Sequence, residues 1–185
     1  MGTTSLYVEI VIIGLETMMW IISFFIYLTD IKYISLIENI VEKLPAAIFI
    51  LGMRYVLGLI IDRVADWLFD NIENKIRKSS GLMAASSILI WKKSDQEEYF
   101  KFTRSKIRIL RASSINMPLL MLSLALNIFR YYGWRTSLFV FVIFLGGFLS
   151  VASLWGYVLT VKNYYKKAGI LEKDLKRRKE TQQKS

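Results

Sequence analysis

The chain has 185 residues and a net charge of +10, although 54% of its residues are hydrophobic and only 22% are charged. This apolar fraction is higher than that of a typical soluble domain. The chain contains no Cys and no His, which excludes disulfides, Cys or His zinc sites, His-ligated haem, Cys nucleophiles and Ser-His-Asp catalysis. The glycine-rich phosphate-binding motifs of common nucleotide-dependent enzymes are also missing.

Four apolar runs predict an all-α integral membrane protein with a four-helix transmembrane bundle. The runs are Leu6 to Leu28, Leu44 to Val64, Ile115 to Phe129 and Leu138 to Val161. At the rise of an α-helix the first, second and fourth runs reach about 30 Å, the thickness of a hydrocarbon core. The third is shorter and needs flanking residues to cross. We therefore expect transmembrane hairpins at residues 1–69 and 115–161, a basic helical segment at 70–114 and a basic tail helix at 162–185.

Basic residues are concentrated in two segments of the chain. Residues 70–114 contain ten Lys and Arg and residues 162–185 contain nine, whereas the two short connections contain two each. Four spans would place both basic segments and both termini on one side, and the positive-inside rule makes that side the cytosol. We therefore expect a cytoplasmic (inner) membrane protein with both termini cytosolic. Four aromatic residues are predicted to mark the inner membrane interface: Tyr7, Trp67, Tyr164 and Tyr165.

Two ionisable residues lie near the middle of predicted spans, Glu16 in the first and Arg54 in the second. A charge at this depth costs at least ~2.5 kcal/mol and usually has a partner. Because the two spans run in opposite directions, the sequence predicts an ion pair between Glu16 and Arg54. A neutralised pair that fixes helix docking is favoured over a proton or ion relay. Glu9 shares a helix face with Glu16, and Glu9 and Arg63 are predicted at the inner interface without pairing to each other.

Two charged stripes of similar length are predicted outside the membrane. The second span continues as a helix, and an amphipathic helix covers residues from about Asp95 to Ser114. The acidic stripe consists of Asp62, Asp66, Asp70 and Glu73, and the basic stripe of Lys101, Arg104, Arg108 and Arg111. If the helices lie antiparallel, they form an ionic zipper with these facing pairs: Asp62 and Arg111, Asp66 and Arg108, Asp70 and Arg104, Glu73 and Lys101. Binding of anionic lipid headgroups by the basic stripe is an equal alternative, and contact with nucleic acid or a nucleotide is a weaker one.

Small residues recur along one face of the fourth span. This small-residue stripe consists of Gly146, Ser150, Ser153 and Gly156. Such stripes allow helix backbones to approach closely. Packing within the bundle is the simpler interpretation, and an interface between copies of the chain is the sharper one.

The residue pattern indicates a non-enzymatic protein. Without Cys or His, acid–base chemistry would rest on carboxylates, and the clustered carboxylates are accompanied by arginines. We expect no catalytic residue, no metal and no cofactor. The favoured function is a homo-oligomeric membrane anchor or sensor that couples to a cytosolic protein partner. The alternative is a homo-oligomeric ion channel or pore built from the charges and small residues of the spans.

Overall fold

The computed structural model describes residues 2–29, 44–80, 96–133 and 137–182, and it is helical throughout these ranges. The four helices are α1 (Gly2–Thr29), α2 (Leu44–Ser79), α3 (Glu97–Tyr132) and α4 (Ser137–Gln182). The all-helical fold predicted from the sequence is therefore confirmed. The connecting residues 30–43, 81–95 and 134–136 lie outside the described residues.

Three of these helices are long and apolar enough to cross a membrane. The qualifying stretches are Leu6–Thr29, Glu97–Tyr132 and Ser137–Asp174. Helix α2 is not among them within the described residues. The membrane character of the chain therefore rests on α1, α3 and α4, and the crossing of α2 stays a prediction.

Helices α2, α3 and α4 each join an apolar run to a polar one without a break. Helix α2 continues to Ser79, as the acidic stripe predicted. The amphipathic segment and the third apolar run form one helix, and Pro118 lies inside it rather than near its start. Helix α4 has 46 residues and is about 69 Å long, more than twice the thickness of a hydrocarbon core. Long helices of this kind reach beyond the apolar part of the bundle.

Neighbouring helices along the chain run in opposite directions. Between α1 and α2, Ile10 lies against Gly58 and Gly14 lies against Arg54. A side-chain carbon at either glycine would overlap the backbone of the facing helix, so glycine is what permits this approach. Helix α1 also packs along α3, and α3 packs along α4, whereas α2 meets α3 and α4 over shorter stretches.

The main hydrophobic core lies at one end of the bundle, which we call the polar end. The polar end consists of residues 65–80 of α2, 97–112 of α3 and 157–174 of α4. Its core is formed by eight buried residues: Ile76, Phe100, Ile107, Tyr157, Val161, Tyr164, Tyr165 and Ala168. Tyr164 and Tyr165 were expected at the inner membrane interface, and both rings are buried among the helices of the polar end. Their place at the interface stays a prediction.

The other half of α4 has the opposite pattern of burial. Its outward ridge consists of exposed apolar side chains, which are Phe144, Phe148, Val151 and Trp155, each at least 64% exposed. Apolar side chains that face outward in such number need lipid or another protein around them. Helix α4 therefore passes from a surface suited to lipid to a surface suited to water.

Candidate functional site

Five charged residues meet where α1, α2 and α3 converge, and we call them the ionic cluster: Glu9, Asp62, Asp66, Arg108 and Arg111. The guanidinium of Arg111 lies between two carboxylates, with Nη1 2.5 Å from Asp66 Oδ1 and Nη2 3.1 Å from Asp62 Oδ1. Arg108 is placed more loosely, with Nη1 3.4 Å from Glu9 Oε2 and Nε 3.7 Å from Asp62 Oδ2. The cluster thus ties three helices together with side chains of both signs.

Burial makes the ionic cluster energetically costly unless its charges are paired. Arg111 and Glu9 are each 7% exposed. Removing a charge from water costs several kcal/mol, which the partner charge offsets only in good geometry. The planar fork of Arg111 supplies that geometry by donating to two carboxylates one helical turn apart. Since arginines occupy these carboxylates, the described residues hold no group of acidic side chains placed to bind a metal ion.

The predicted ionic zipper is formed at one end only. The pair of Asp62 with Arg111 is present. Asp66 pairs with Arg111 instead of Arg108, and Arg108 contacts Asp62 and Glu9. One guanidinium can bind two carboxylates that lie four residues apart on a helix. The prediction of one arginine for each aspartate was therefore too simple.

The other two pairs of the zipper are absent from the described residues. Asp70 accepts a hydrogen bond from Asn74 of its own helix at 2.8 Å. Lys101 pairs with Glu97 one turn earlier, at 2.5 Å. The predictions for Asp70 with Arg104 and Glu73 with Lys101 are therefore wrong, because local partners on the same helix are closer.

Glu73 has a partner that the sequence analysis missed. The hydroxyl of Tyr165 in α4 donates to Glu73 Oε1 at 2.6 Å. Arg104, on the facing helix, forms no ion pair within the described residues. The signal for the tyrosine was weak, because only the length of α4 could have placed Tyr165 opposite the acidic stripe.

Glu16, which lies in the apolar run of α1, is held by neutral side chains. The hydroxyl of Ser113 donates to its carboxylate at 2.9 Å, and the amide of Asn116 donates at 3.3 Å. No ion pair of the described residues joins Glu16 to Arg54, so that predicted contact is wrong. Side chains two positions apart on an α-helix point about 200° apart around its axis. Since Gly14 faces α2, Glu16 is turned toward α3 instead.

Arg54 and Arg63 lie away from this carboxylate. The Nε of Arg54 is buried without a hydrogen-bond partner, and the backbone carbonyl of Arg54 lies against Gly14. Arg54 thus lies level with Gly14, two residues from Glu16, and the side chains of Glu16 and Arg54 do not face each other. Arg63 is exposed and lies beside Asp66, Trp67 and Asp70 on the outer side of α2. Glu9 pairs with Arg108 of α3, and the place of Glu9 and Arg63 at the inner interface stays a prediction.

A polar seam continues along α1 and α3 beyond Glu16. The amide oxygen of Asn116 accepts hydrogen bonds from Thr17 at 3.3 Å and Trp20 at 3.2 Å. Further along, the amide of Asn127 donates to the carbonyl of Ser23 at 2.7 Å. These contacts follow the same order along both helices, so α1 and α3 run parallel. The sequence analysis missed the seam because its polar residues are shared between two helices.

The small-residue stripe packs inside the bundle at its two glycines. A side-chain carbon at Gly146 would overlap Met121 of α3, and one at Gly156 would contact Leu110 of the same helix. Ser150 donates a hydrogen bond to the carbonyl of Gly146 in its own helix, and Ser153 is half-buried. The contacts of both glycines favour the simpler interpretation, in which this stripe seats α4 on α3.

We predict that replacing Arg111 by Met destabilises the protein by about 3 kcal/mol, because it leaves two carboxylates without their shared cation. The matched control is Lys101→Met on the same helix, whose side chain is 54% exposed and whose local ion pair is worth ~0.5 kcal/mol or less. Denaturant titration of the protein in mild detergent, followed by tryptophan fluorescence, measures both changes. Equal stability of the two variants would contradict the cluster as a structural clamp.

No protein-family model, no curated protein and no solved structure matches this chain. Functional conclusions are therefore drawn from the residues and contacts of the chain itself.

Proposed function

We propose that the protein is a non-enzymatic, multi-pass membrane anchor or sensor whose polar end binds a cytosolic protein. One observation carries this proposal. Helices α2, α3 and α4 run without a break from an apolar half into a polar end that has a buried core of its own. A purely membrane-embedded protein has no need of such an extension, whereas an anchor that presents a surface to a soluble partner does.

The distribution of burial supports two different surroundings for the two halves. In the apolar 18-residue window of α4 that qualifies it as a span, only 6% of the residues are buried within the protein. The polar end buries aromatic rings between helices, such as Phe100 against Tyr164 with centroids 5.4 Å apart. We infer that lipid covers the first half and water the second.

The orientation follows from charge. Four spans, with α2 as the second, would place the polar end and both termini on one side of the membrane. The basic residues of 70–114 and 162–185 make that side the cytosol of an inner-membrane protein. Anionic headgroups would then lie beside the polar end.

The ionic cluster connects the two halves and could transmit a change in the membrane to the polar end. Glu9 of α1 pairs with Arg108 of α3 at the level where the polar end begins. Because Arg108 and Arg111 belong to one continuous helix, a shift of α1 along α3 moves the ionic cluster against α2. Packed helices with alternative ion pairs are one way in which sensors switch.

The outer face of α4 offers the surface for a partner. Lys162, Lys166, Ile170 and Lys173 recur at intervals of four, four and three and are all exposed. The three lysines surround one exposed apolar side chain, an arrangement suited to an acidic protein with an apolar contact.

We expect the protein, purified in mild detergent, to retain one cytosolic protein in stoichiometric amount. Reversing the lysine charges in Lys162→Glu with Lys166→Glu should reduce the captured amount at least tenfold. The matched control is Phe49→Leu, an exposed change in the apolar half of α2 that should leave capture unchanged. Quantitative mass spectrometry measures the captured protein. The anchor would be contradicted if the wild type captured no protein, or if the double charge reversal captured as much as the control.

The second candidate is a homo-oligomeric channel, and Glu16 is the observation that favours it. Its carboxylate lies within a membrane span, in a polar seam, without a cationic partner among the described residues. A channel with this carboxylate in its path should lose at least half of its conductance in planar bilayers on Glu16→Gln. Electrical silence of the wild type would exclude the channel and leave the anchor as the remaining proposal.

Homo-oligomerisation is part of both proposals and needs a free surface. Because the two stripe glycines contact α3, the outward ridge of α4 is the better interface between copies. The mass of the complex in native mass spectrometry reports the number of copies.

A further inference from the structure

We propose that a cavity at the polar end binds a phosphate monoester group, taken either from an anionic lipid headgroup or from a soluble phosphate compound. The cavity has a volume of about 190 Å³. Its walls come from all three helices of the polar end, and its charged walls are Asp66, Glu73, Arg104, Arg108 and Arg111. This site goes beyond the proposed function, and only its lipid source rests on the proposed membrane location.

The cavity contains more hydrogen-bond donors than its own acceptors can use. Each guanidinium carries five N–H donors and no acceptor. Arg111 spends two nitrogens on Asp62 and Asp66, and its buried Nε has no hydrogen-bond partner. Arg104 forms no ion pair within the described residues, and Arg108 lies within hydrogen-bond distance of only one carboxylate. A ligand for this cavity must therefore accept hydrogen bonds from several directions.

The two carboxylates of the cavity are already engaged. Asp66 lies 2.5 Å from Arg111, and Glu73 accepts the hydroxyl of Tyr165 at 2.6 Å. Glu9, Asp62 and Asp66 pair with Arg108 and Arg111, so Arg104 is the arginine of the cavity that has no carboxylate within ion-pair distance among the described residues. A phosphate monoester supplies three terminal oxygens and a negative charge, which matches this surplus of donors. A zwitterionic headgroup offers fewer free oxygens and brings a cation that the arginines repel.

The position of the cavity also suits a headgroup. It is lined by Arg111 of α3 and Tyr164 of α4, which lie a few residues from the apolar runs of their helices. Trp67, one residue after Asp66, is 77% exposed, and tryptophans of membrane proteins are enriched at the headgroup level. The cavity is thus at the height where a lipid phosphate would meet it.

The test is a native mass spectrometry titration of the full-length protein with three probes: dioctanoyl phosphatidic acid, dioctanoyl phosphatidylcholine and inorganic phosphate. Arg104→Gln should weaken the binding of phosphatidic acid about tenfold, because one charge-assisted contact is lost. Arg104→Glu should abolish it. Arg104 is exposed and forms no ion pair among the described residues, so these changes should leave folding intact, as melting temperature verifies.

The matched control is Lys106→Gln, which removes a positive charge from an exposed position two residues away and outside the cavity wall. It should bind phosphatidic acid like the wild type. Arg104-dependent binding of phosphatidic acid alone supports a lipid source, and equal Arg104-dependent binding of inorganic phosphate supports a soluble one. No binding, equal binding of phosphatidylcholine, or equal loss in Lys106→Gln and Arg104→Gln would overturn the site. None of these outcomes depends on whether a cytosolic protein is captured.

Discussion

The bidentate contact of Arg111 with Asp62 and Asp66 is the interaction on which the arrangement of the helices depends. It joins α2 to α3 at the level where apolar surfaces give way to polar ones. A buried guanidinium is stable only when its charge is matched, so both carboxylates are required to stay in place. Glu9 and Arg108 extend the contact to α1. The polar end can therefore form its own core only in one register with the apolar half.

The second constraint is that α2, α3 and α4 each pass from an apolar half into the polar end. In the apolar half, helix contacts are made by small residues and by hydrogen bonds of the polar seam, since lipid gives no hydrophobic drive for association. In the polar end, the burial of aromatic rings drives the association of the helices, as in soluble bundles. The ionic cluster lies between the two modes of packing. This position makes it the natural point at which a change in one half reaches the other.

The spacing of residues and the lengths of the apolar runs were sufficient to predict the helices and the level along the bundle at which their residues meet. The acidic stripe predicted the continuation of α2, and Asp62 with Arg111 was paired correctly. What failed was rotation about the helix axis. Glu16 and Arg54 share a depth, but Gly14 occupies the face toward α2 and turns Glu16 to α3.

Contacts between distant parts of the chain were the other failure. Ser113 and Asn116 have no feature that marks them as partners of Glu16, because each is an ordinary polar residue within its own helix. Tyr165 looked like an interface aromatic and proved to be a donor to Glu73 within the core. A rotation of one helix changes all of these contacts at once, and no residue pattern in a single helix reports it.

The most direct measurement of the central claim uses the absence of cysteine from the chain, which allows single cysteines to be placed without background labelling. Lys101→Cys and Lys173→Cys lie on α3 and α4 of the polar end, and Tyr132→Cys lies at the opposite end of α3. With a membrane-impermeant maleimide on oriented vesicles, the first two should be labelled from one side and the third only from the other. Labelling of positions 101 and 173 from different sides would contradict a single polar end joined to the membrane by unbroken helices.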